Sequence, residues 1–126
     1  MARATHRGFT LIELLVVLAV IATLLTLVTP SYFRSLDRAK ESALRENLAV
    51  LRDALDKFYG DSGKYPDTLE DLVARKYLRS VPVDPLTQSA RTWVAVPPQD
   101  QRKGAVFDVK SGASGRSSDG TLYGEW

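Results

Sequence analysis

The chain has 126 residues and a mass of 13.9 kDa, and 44% of its residues are hydrophobic. This length allows one small domain and one special segment, and it excludes a multidomain enzyme. Arg3 and Arg7 are two of its 17 Lys and Arg residues, which leaves 15 basic residues against 15 acidic ones. The remainder is neutral, which argues against a nucleic-acid partner. The absence of cysteine excludes disulfides and thiolate metal sites.

The first element is an apolar block. Between residues 11 and 28, every side chain except Glu13, Thr23 and Thr26 is aliphatic. A helix over Phe9–Val28 would be about 30 Å long, which matches the hydrocarbon core of a bilayer. The apolar core of a signal peptide is shorter, at roughly 7–15 residues. The block therefore predicts a membrane-spanning helix.

Basic residues precede the block at Arg3 and Arg7, with His6 between them. Because positively charged residues are retained in the cytoplasm, they predict a cytoplasmic N-terminus and a head on the far side of the membrane. A simple membrane anchor explains this much of the pattern.

Glu13 is the feature that a simple anchor does not explain. An ionisable group in a membrane helix costs about 2.5–3.5 kcal/mol, so it usually marks a partner. Cleavage before Phe9 would create a cationic amine about one turn from Glu13, and the carboxylate of a neighbouring subunit could pair with that amine and set the register. The alternative is that Glu13 lies near the interface and reaches water. The residues alone leave both interpretations open.

Ten residues at this point form a specific string: Gly8-Phe9-Thr10-Leu11-Ile12-Glu13-Leu14-Leu15-Val16-Val17. With its basic leader, the string resembles the signature of type IV pilin-like proteins. The resemblance implies that the prepilin peptidase cuts between Gly8 and Phe9, that Phe9 is N-methylated, and that Glu13 neutralises the N-terminus of an adjoining subunit. Pro30 stands where the family commonly has a proline, and we expect a bend or local melting there because proline removes a backbone hydrogen bond. Phe9, Glu13 and Pro30 are the candidate assembly residues.

The next segment, Ser31–Tyr59, is polar with one apolar stripe, whose residues are spaced by three and four: Leu44, Leu48, Leu51, Leu55 and Phe58. This spacing predicts an amphipathic stalk helix, which Gly60 and the Asp61-Ser62-Gly63 turn would end. We expect Leu48–Phe58 to pack on the chain's own head. A weaker upstream continuation, at Phe33, Leu36, Ala39 and Ala43, is expected to contact neighbouring subunits.

Two pairs of opposite charges lie four residues apart on this helix. They are Glu41 with Arg45, and Asp53 with Lys57. This spacing favours ion pairs on a solvent-exposed helix face.

The head begins with a short helix at Thr68–Val73, where Thr68 and Asp71 form a capping-box pattern. Thr92–Val96 and Ala105–Val109 are rich in β-branched and aromatic residues and predict two strands. Pro97-Pro98 and a polar stretch separate the two strands, which makes the connection too long for a tight hairpin turn.

A loop is predicted at Ser111–Gly120, which is almost wholly Ser, Gly and Ala. Tyr123 and Trp126 are expected to attach its end to the domain by packing.

Motifs of the head resemble the major pseudopilins of type II secretion systems, and they occur in this order: Lys64-Tyr65-Pro66 with Leu69 and Leu72, Tyr77-Leu78, Pro82-Val83-Asp84-Pro85, and Phe107-Asp108-Val109-Lys110-Ser111-Gly112. This resemblance implies an α+β, pilin-like fold, in which a long N-terminal helix packs on a small antiparallel sheet with a C-terminal loop. It divides the chain into a cleaved leader (1–8), a transmembrane and assembly helix (9–30), and a periplasmic domain (31–126) that includes the stalk helix to about residue 60.

The same resemblance implies a structural role in the bacterial inner membrane, with the head and the assembled fibre in the periplasm. The subunit would form a homopolymer through its N-terminal helices, and this short helical fibre would help to export folded proteins across the outer membrane. The implied partners are the prepilin peptidase, an inner-membrane assembly platform with a cytoplasmic ATPase, minor pseudopilins and the outer-membrane secretin. No enzyme is expected, since the one histidine, His6, lies in the leader. The alternatives are a subunit of a type IV or DNA-uptake pilus, and a membrane-anchored binding module that does not polymerise.

Members of this family often hold a calcium ion (Ca2+) in the C-terminal loop, and calcium takes six to eight oxygen ligands. The candidates here are Asp119, Ser117 and Asp108, with Glu125, Ser114 and Ser118 as further oxygen donors. The calcium-binding members usually have a more acidic loop, and Ser114 stands about where one of their aspartates would be. A loop held by glycine turns and aromatic packing, without an ion, is therefore slightly favoured.

Overall fold

The computed structural model describes residues 7–126, so most of the predicted leader lies outside the described residues. Two compact units divide the chain, one ending at Leu36 and the other comprising Asp37–Trp126. The regular elements are α1 (Leu11–Ser62), α2 (Leu69–Ala74), β1 (Val94–Val96) and β2 (Asp108–Lys110), with 3-10 turns at Gln101–Lys103 and Tyr123–Glu125. The expected α+β fold, a long helix with a small antiparallel sheet, is confirmed.

Pro30 lies inside α1, and the residues on both sides of it remain helical. Of the two outcomes expected at Pro30, local melting does not occur, and a bend stays a prediction. A proline within a helix costs about 3 kcal/mol, because one hydrogen bond is lost and the ring meets the preceding turn. In a helix of 52 residues, the hydrogen bonds of the flanking turns are retained and the helix continues through the proline.

The helix also continues through Gly60 and ends at Ser62. Gly63 follows with φ +73°, and its N–H donates to the carbonyl of Tyr59 at 2.8 Å. This is a left-handed C-cap, a conformation that glycine adopts without steric cost. Gly63, not Gly60, is the residue that terminates the helix.

The apolar stripe of α1 is buried, as predicted, and none of its five residues is more than 6% exposed. From Leu51 to Phe58 it forms one core cluster with three residues of the head, namely Leu72, Val106 and Val109. The prediction that this part of the stripe packs on the chain's own domain is confirmed. Phe33 and Leu36, upstream, are 57% and 39% exposed, and their contact with neighbouring subunits stays a prediction.

The two strands pair antiparallel, with Ala95 opposite Val109, and they are shorter than predicted. The second strand does not begin at Ala105, because the N–H groups of Ala105 and Val106 donate to the carbonyl of Pro66 at 3.3 and 3.0 Å. The first strand does not include Thr92, whose hydroxyl pairs with that of Thr87 at 2.6 Å. The backbone at Ala105 and Val106 thus pairs with the turn before α2 and not with the first strand.

The capping pattern predicted for the short helix is present. The Asp71 carboxylate accepts hydrogen bonds from the backbone N–H groups of Thr68 at 3.2 Å and Asp67 at 3.1 Å. These bonds satisfy donors that would otherwise lack a partner at the start of α2.

Candidate functional site

The first candidate site is the N-terminal part of α1, described here by itself. Its large apolar side chains between residues 11 and 28 are exposed, from Ile21 at 47% to Leu11 at 78%. Within residues 7–126, α1 is the one helix long and apolar enough to cross a membrane, with a mean hydropathy of 2.8 over its most apolar stretch. This surface is suited to lipid or to other helices, and not to water.

The Gly8–Phe9 bond precedes the first residue of α1, Leu11, and both residues are exposed and non-helical. A protease needs an accessible backbone outside regular structure, and this segment provides one. The cleavage predicted at this bond stays a prediction, and the leader residues 1–6 lie outside the described part of the chain.

Glu13 and Thr10 cap α1 reciprocally. The Glu13 N–H donates to Thr10 Oγ1 at 3.1 Å, and the Thr10 N–H donates to Glu13 Oε2 at 3.3 Å. This is a capping box, and its Thr-x-x-Glu pattern was visible in the sequence. Among the described residues, Glu13 Oε1 has no hydrogen bond, so the carboxylate is held in place while one oxygen remains available to another group.

The calcium candidates are engaged by donors of the chain itself. Asp119 accepts hydrogen bonds from Ser117 Oγ, from the Thr121 N–H at 3.0 Å and from Thr121 Oγ1 at 2.6 Å. These bonds, with the nearby charge of Arg45, lower the pKa of Asp119 to about 2.

Asp108 does not join Asp119, since it forms an ion pair with Arg52 at 2.8 Å. In the part of the chain that the structure describes, no three acidic or histidine residues are grouped in a way that could hold a metal ion. Calcium takes six to eight oxygens from carboxylates, backbone carbonyls and waters, and Asp119, Ser117 and Asp108 do not by themselves bring several carboxylate oxygens to one point.

Glu41 is a residue whose role the sequence analysis missed. It is only 9% exposed, and it accepts hydrogen bonds from the Ser118 N–H and Ser118 Oγ, both at 2.8 Å, and from the Tyr123 hydroxyl at 3.0 Å. Burial by itself would raise the pKa of Glu41, but these three bonds hold it below its ordinary value of 4.5. In the sequence, Glu41 stands three residues before Leu44, where the spacing of the apolar stripe predicts another buried residue. This position is the signal that could have indicated its burial.

The predicted ion pair between Glu41 and Arg45 is wrong. Arg45 instead contacts Asp119 at 3.6 Å, and its guanidinium lies 4.3 Å from the ring centre of Trp126. The C-terminal loop packs on this face of the helix, so Glu41 and Arg45 contact residues of the loop and not each other. The other predicted pair is confirmed, with Lys57 Nζ 3.0 Å from Asp53.

Arg52 joins α1 to the strand and to the end of the C-terminal loop. Besides its ion pair with Asp108, it donates through Nη2 to the carbonyl oxygen of Val109 at 3.0 Å and to a main-chain oxygen of Trp126 at 2.7 Å. The planar guanidinium presents donors from separate nitrogens in a fixed fork, whereas a lysine offers its three donors from a single nitrogen.

The Pro82-Val83-Asp84-Pro85 motif has a structural role. Asp84 is fully buried, and it accepts hydrogen bonds from Ser111 Oγ at 2.5 Å and from the Leu86 N–H at 2.9 Å. Asn47 Nδ2 donates to the carbonyl of Val83 at 2.8 Å. The motif thereby connects the stalk helix, the middle of the head and the start of the C-terminal loop.

An exposed apolar helix with a carboxylate at its start, followed by an α+β head, defines a pilin-like protein. Residues 3–29 match the family described as the prokaryotic N-terminal methylation motif. The type II secretion system core protein G of Klebsiella michiganensis is 31% identical over 116 residues, which cover 92% of this chain and 82% of that protein. The chain belongs to the family of type II secretion system core protein G.

Two further relatives are similar to parts of this chain. The core protein G of Pseudomonas aeruginosa is 34% identical over 101 residues, covering 68% of this chain and 71% of that protein. The type IV major pilin protein PilA of Myxococcus xanthus is 34% identical over 67 residues, covering 53% of this chain but 30% of the pilin. No solved structure matches the chain significantly. The family consists of structural pilin-like proteins and is not a family of enzymes, and with its apolar helix the chain is a single-pass, membrane-anchored protein.

Proposed function

We propose that this chain is a structural subunit of the type II secretion pseudopilus. Subunits polymerise through their N-terminal helices into a short helical fibre, which helps to export folded proteins across the outer membrane. The observation that carries the proposal is the exposed apolar helix that begins with a capped Glu13, on a head of the core protein G family.

Glu13 acts as the register element of this fibre. Cleavage between Gly8 and Phe9 creates an amine, which is methylated on Phe9 and lies close to the start of the helix. Glu13 Oε2 remains on its own helix cap, while Oε1 accepts the amine of a neighbouring subunit. Pairing removes the cost of an isolated charge in an apolar bundle, so the subunits stack in one register.

The proposed organisation is a leader at 1–8, a transmembrane and assembly segment at 9–30, whose last residue is Pro30, and a periplasmic domain at 31–126. The N-terminus lies in the cytoplasm and the fibre in the periplasm. Family membership supports this orientation more than charge does, because basic residues also follow the apolar block, at Arg34, Arg38 and Lys40.

The proposed partners follow from this assembly route. The prepilin peptidase removes the leader, and an inner-membrane platform with a cytoplasmic ATPase extracts the subunit from the membrane. Minor pseudopilins and the outer-membrane secretin contact the fibre. The exposed Gly8–Phe9 segment supports the first of these interactions.

The first test is the intact mass and N-terminal sequence of the protein recovered from its native membrane. A chain that begins at N-methylated Phe9 is the expected result. A chain that retains its leader, in cells with an active peptidase, would refute the processing and the role of Glu13 together.

The second test compares Glu13→Ala with Glu46→Ala, which removes an exposed carboxylate from the stalk part of the same helix. Glu13→Ala is expected to be inserted and cleaved normally, while the yield of sheared fibre falls about tenfold or more, because an amine left unpaired in an apolar bundle is costly. Glu46→Ala should assemble normally. A normal fibre yield from Glu13→Ala would refute the register argument.

A subunit of a type IV pilus is the second candidate, favoured by the similarity to the Myxococcus pilin. That match covers less than a third of the pilin, whereas the match to core protein G covers most of both chains. Deletion of the gene separates the two functions. Loss of protein secretion with intact surface pili supports the pseudopilus, and the reverse supports the pilus.

A further inference from the structure

A carboxylate occupies a position on α1 that the helix pattern assigns to an apolar side chain. Glu41 precedes Leu44 by three residues and Leu48 by seven, so it lies on the same face of the helix, and like them it is buried. An ionised carboxylate is expensive to bury unless hydrogen-bond donors surround it. Its presence there requires a set of partners that arrive from elsewhere in the chain.

All three of its hydrogen-bond donors come from the C-terminal loop, residues 111–126. The N–H and hydroxyl of Ser118 lie 77 positions away in sequence, and the hydroxyl of Tyr123 lies 82 positions away. Both carboxylate oxygens of Glu41 are used. The loop therefore meets the helix at one anionic point.

The surrounding contacts complete this attachment without an added ion. Trp126 Nε1 donates to Thr121 Oγ1 at 2.8 Å, Arg45 lies against the Trp126 ring, and Asp119 accepts three bonds from its own loop. Donors of the chain thus already occupy Asp119 Oδ1, and the Arg45 guanidinium lies 3.6 Å from Asp119 Oδ2.

We propose that Glu41 organises the C-terminal loop in place of a calcium ion, so that this head folds without a divalent cation. The polarity of the site is reversed. In a calcium site, a loop turns its oxygen acceptors toward a central cation. Here the loop turns N–H and O–H donors toward a central anion, which α1 supplies. Glu41 is a positioning residue for the loop.

Hydrogen exchange of the Ser118 amide tests this proposal directly, because that N–H donates to Glu41. The full chain in detergent micelles is compared with Glu41→Gln and with the matched control Glu46→Gln, each in excess chelator and in millimolar calcium. Ser118 in the wild-type chain should exchange equally slowly in both solutions. Glu41→Gln should accelerate its exchange about tenfold or more, and calcium should not restore protection, because a hydrogen bond to a charged group is lost.

The Leu55 amide, in the core part of α1, reports whether a variant has unfolded globally. If Glu41→Gln also exposes Leu55, Tyr123→Phe replaces it, since that change removes a single donor to Glu41 and should accelerate Ser118 exchange severalfold. The proposal would be overturned if hydrogen-exchange protection of Ser118 in the wild-type chain rose with calcium or fell in chelator. Unchanged Ser118 exchange in Glu41→Gln, or in Tyr123→Phe where that variant is used, would overturn it as well.

Discussion

Replacement of Arg52 by leucine should destabilise the head much more than removal of an exposed charge from the same helix. The substitution deletes three hydrogen bonds, to Asp108, Val109 and Trp126. A bond from a charged donor contributes about 1.5–3 kcal/mol when buried. The side chains of Arg52 and Asp108 are 35% and 28% exposed, so solvent screening reduces each contribution.

The expected loss is therefore about 2–3 kcal/mol for the three bonds together. For a folded unit of this size, that loss lowers the unfolding midpoint by roughly 10–20 °C. Thermal unfolding of the full chain in detergent, followed by tryptophan fluorescence, measures the shift, since Trp126 accepts one of the lost bonds.

Lys57→Leu is the matched control. Lys57 lies on the same helix and pairs with Asp53, but both side chains are about two-thirds exposed, and such a pair contributes only about 0.3–0.5 kcal/mol. If Arg52→Leu shifted the midpoint no further than Lys57→Leu does, the connecting role assigned to Arg52 would be refuted.

Two glycines should respond oppositely to alanine. Gly104→Ala would place a methyl group 2.1 Å from the carbonyl oxygen of Tyr65, at a residue with φ +112°, so it should lower the free energy of unfolding by about 3 kcal/mol or more. Gly60 lies inside α1 with open space around it, so Gly60→Ala should raise the free energy of unfolding by about 0.5–1 kcal/mol. Denaturant titrations check both, and a tolerated Gly104→Ala would contradict the close approach. Stability should also fall in acid, because folding lowers the pKa of Glu41 and of Asp119 below their ordinary values of 4.5 and 3.8. The two carboxylates contribute fully to stability above these ordinary pKa values. Their contribution is lost as the pH falls through the lower pKa values that they have in the folded chain. Midpoints measured from pH 7 down to about pH 3 should be flat and then decline, and an equally steep decline in Glu41→Gln would argue against Glu41 as a source.

The long helix and its buried face were predictable because their signal is local. A spacing of three and four residues places Leu44 and Phe58 on one face whatever the rest of the chain does. The core of the head follows from the same stripe. The C-terminal end of α1 was harder to predict, because Gly60 and Gly63 are both residues that commonly end a helix. The left-handed conformation of Gly63 decides where the helix ends.

The strands were harder to predict because a strand is defined by its partner. Val106 has the composition of a strand residue, but its N–H bonds to Pro66. A local pattern reports that a residue suits a half-buried, extended backbone, and it does not report which carbonyl will be opposite.

The candidate sites also divide into residues with a local sequence signal and residues whose partners are distant in sequence. Phe9 and Glu13 can be singled out because they belong to one contiguous string, and the spacing of Thr10 and Glu13 in that string also fits the observed cap. The partners of Glu41 could not be found, because a contact between residues 41 and 118 has no local signature. Its one sequence signal is negative, in that a charged residue stands where the helix pattern requires an apolar one.

The small size of the sheet affects how heads behave when they are crowded. Within residues 7–126, β1 and β2 have three residues each, and each strand has one edge without a partner strand. An edge this short offers few unpaired backbone groups to a strand of another molecule, so it is a poor template for edge-to-edge aggregation. Heads brought together at high local density would meet through side chains, and such contacts separate again without any exchange of backbone hydrogen bonds.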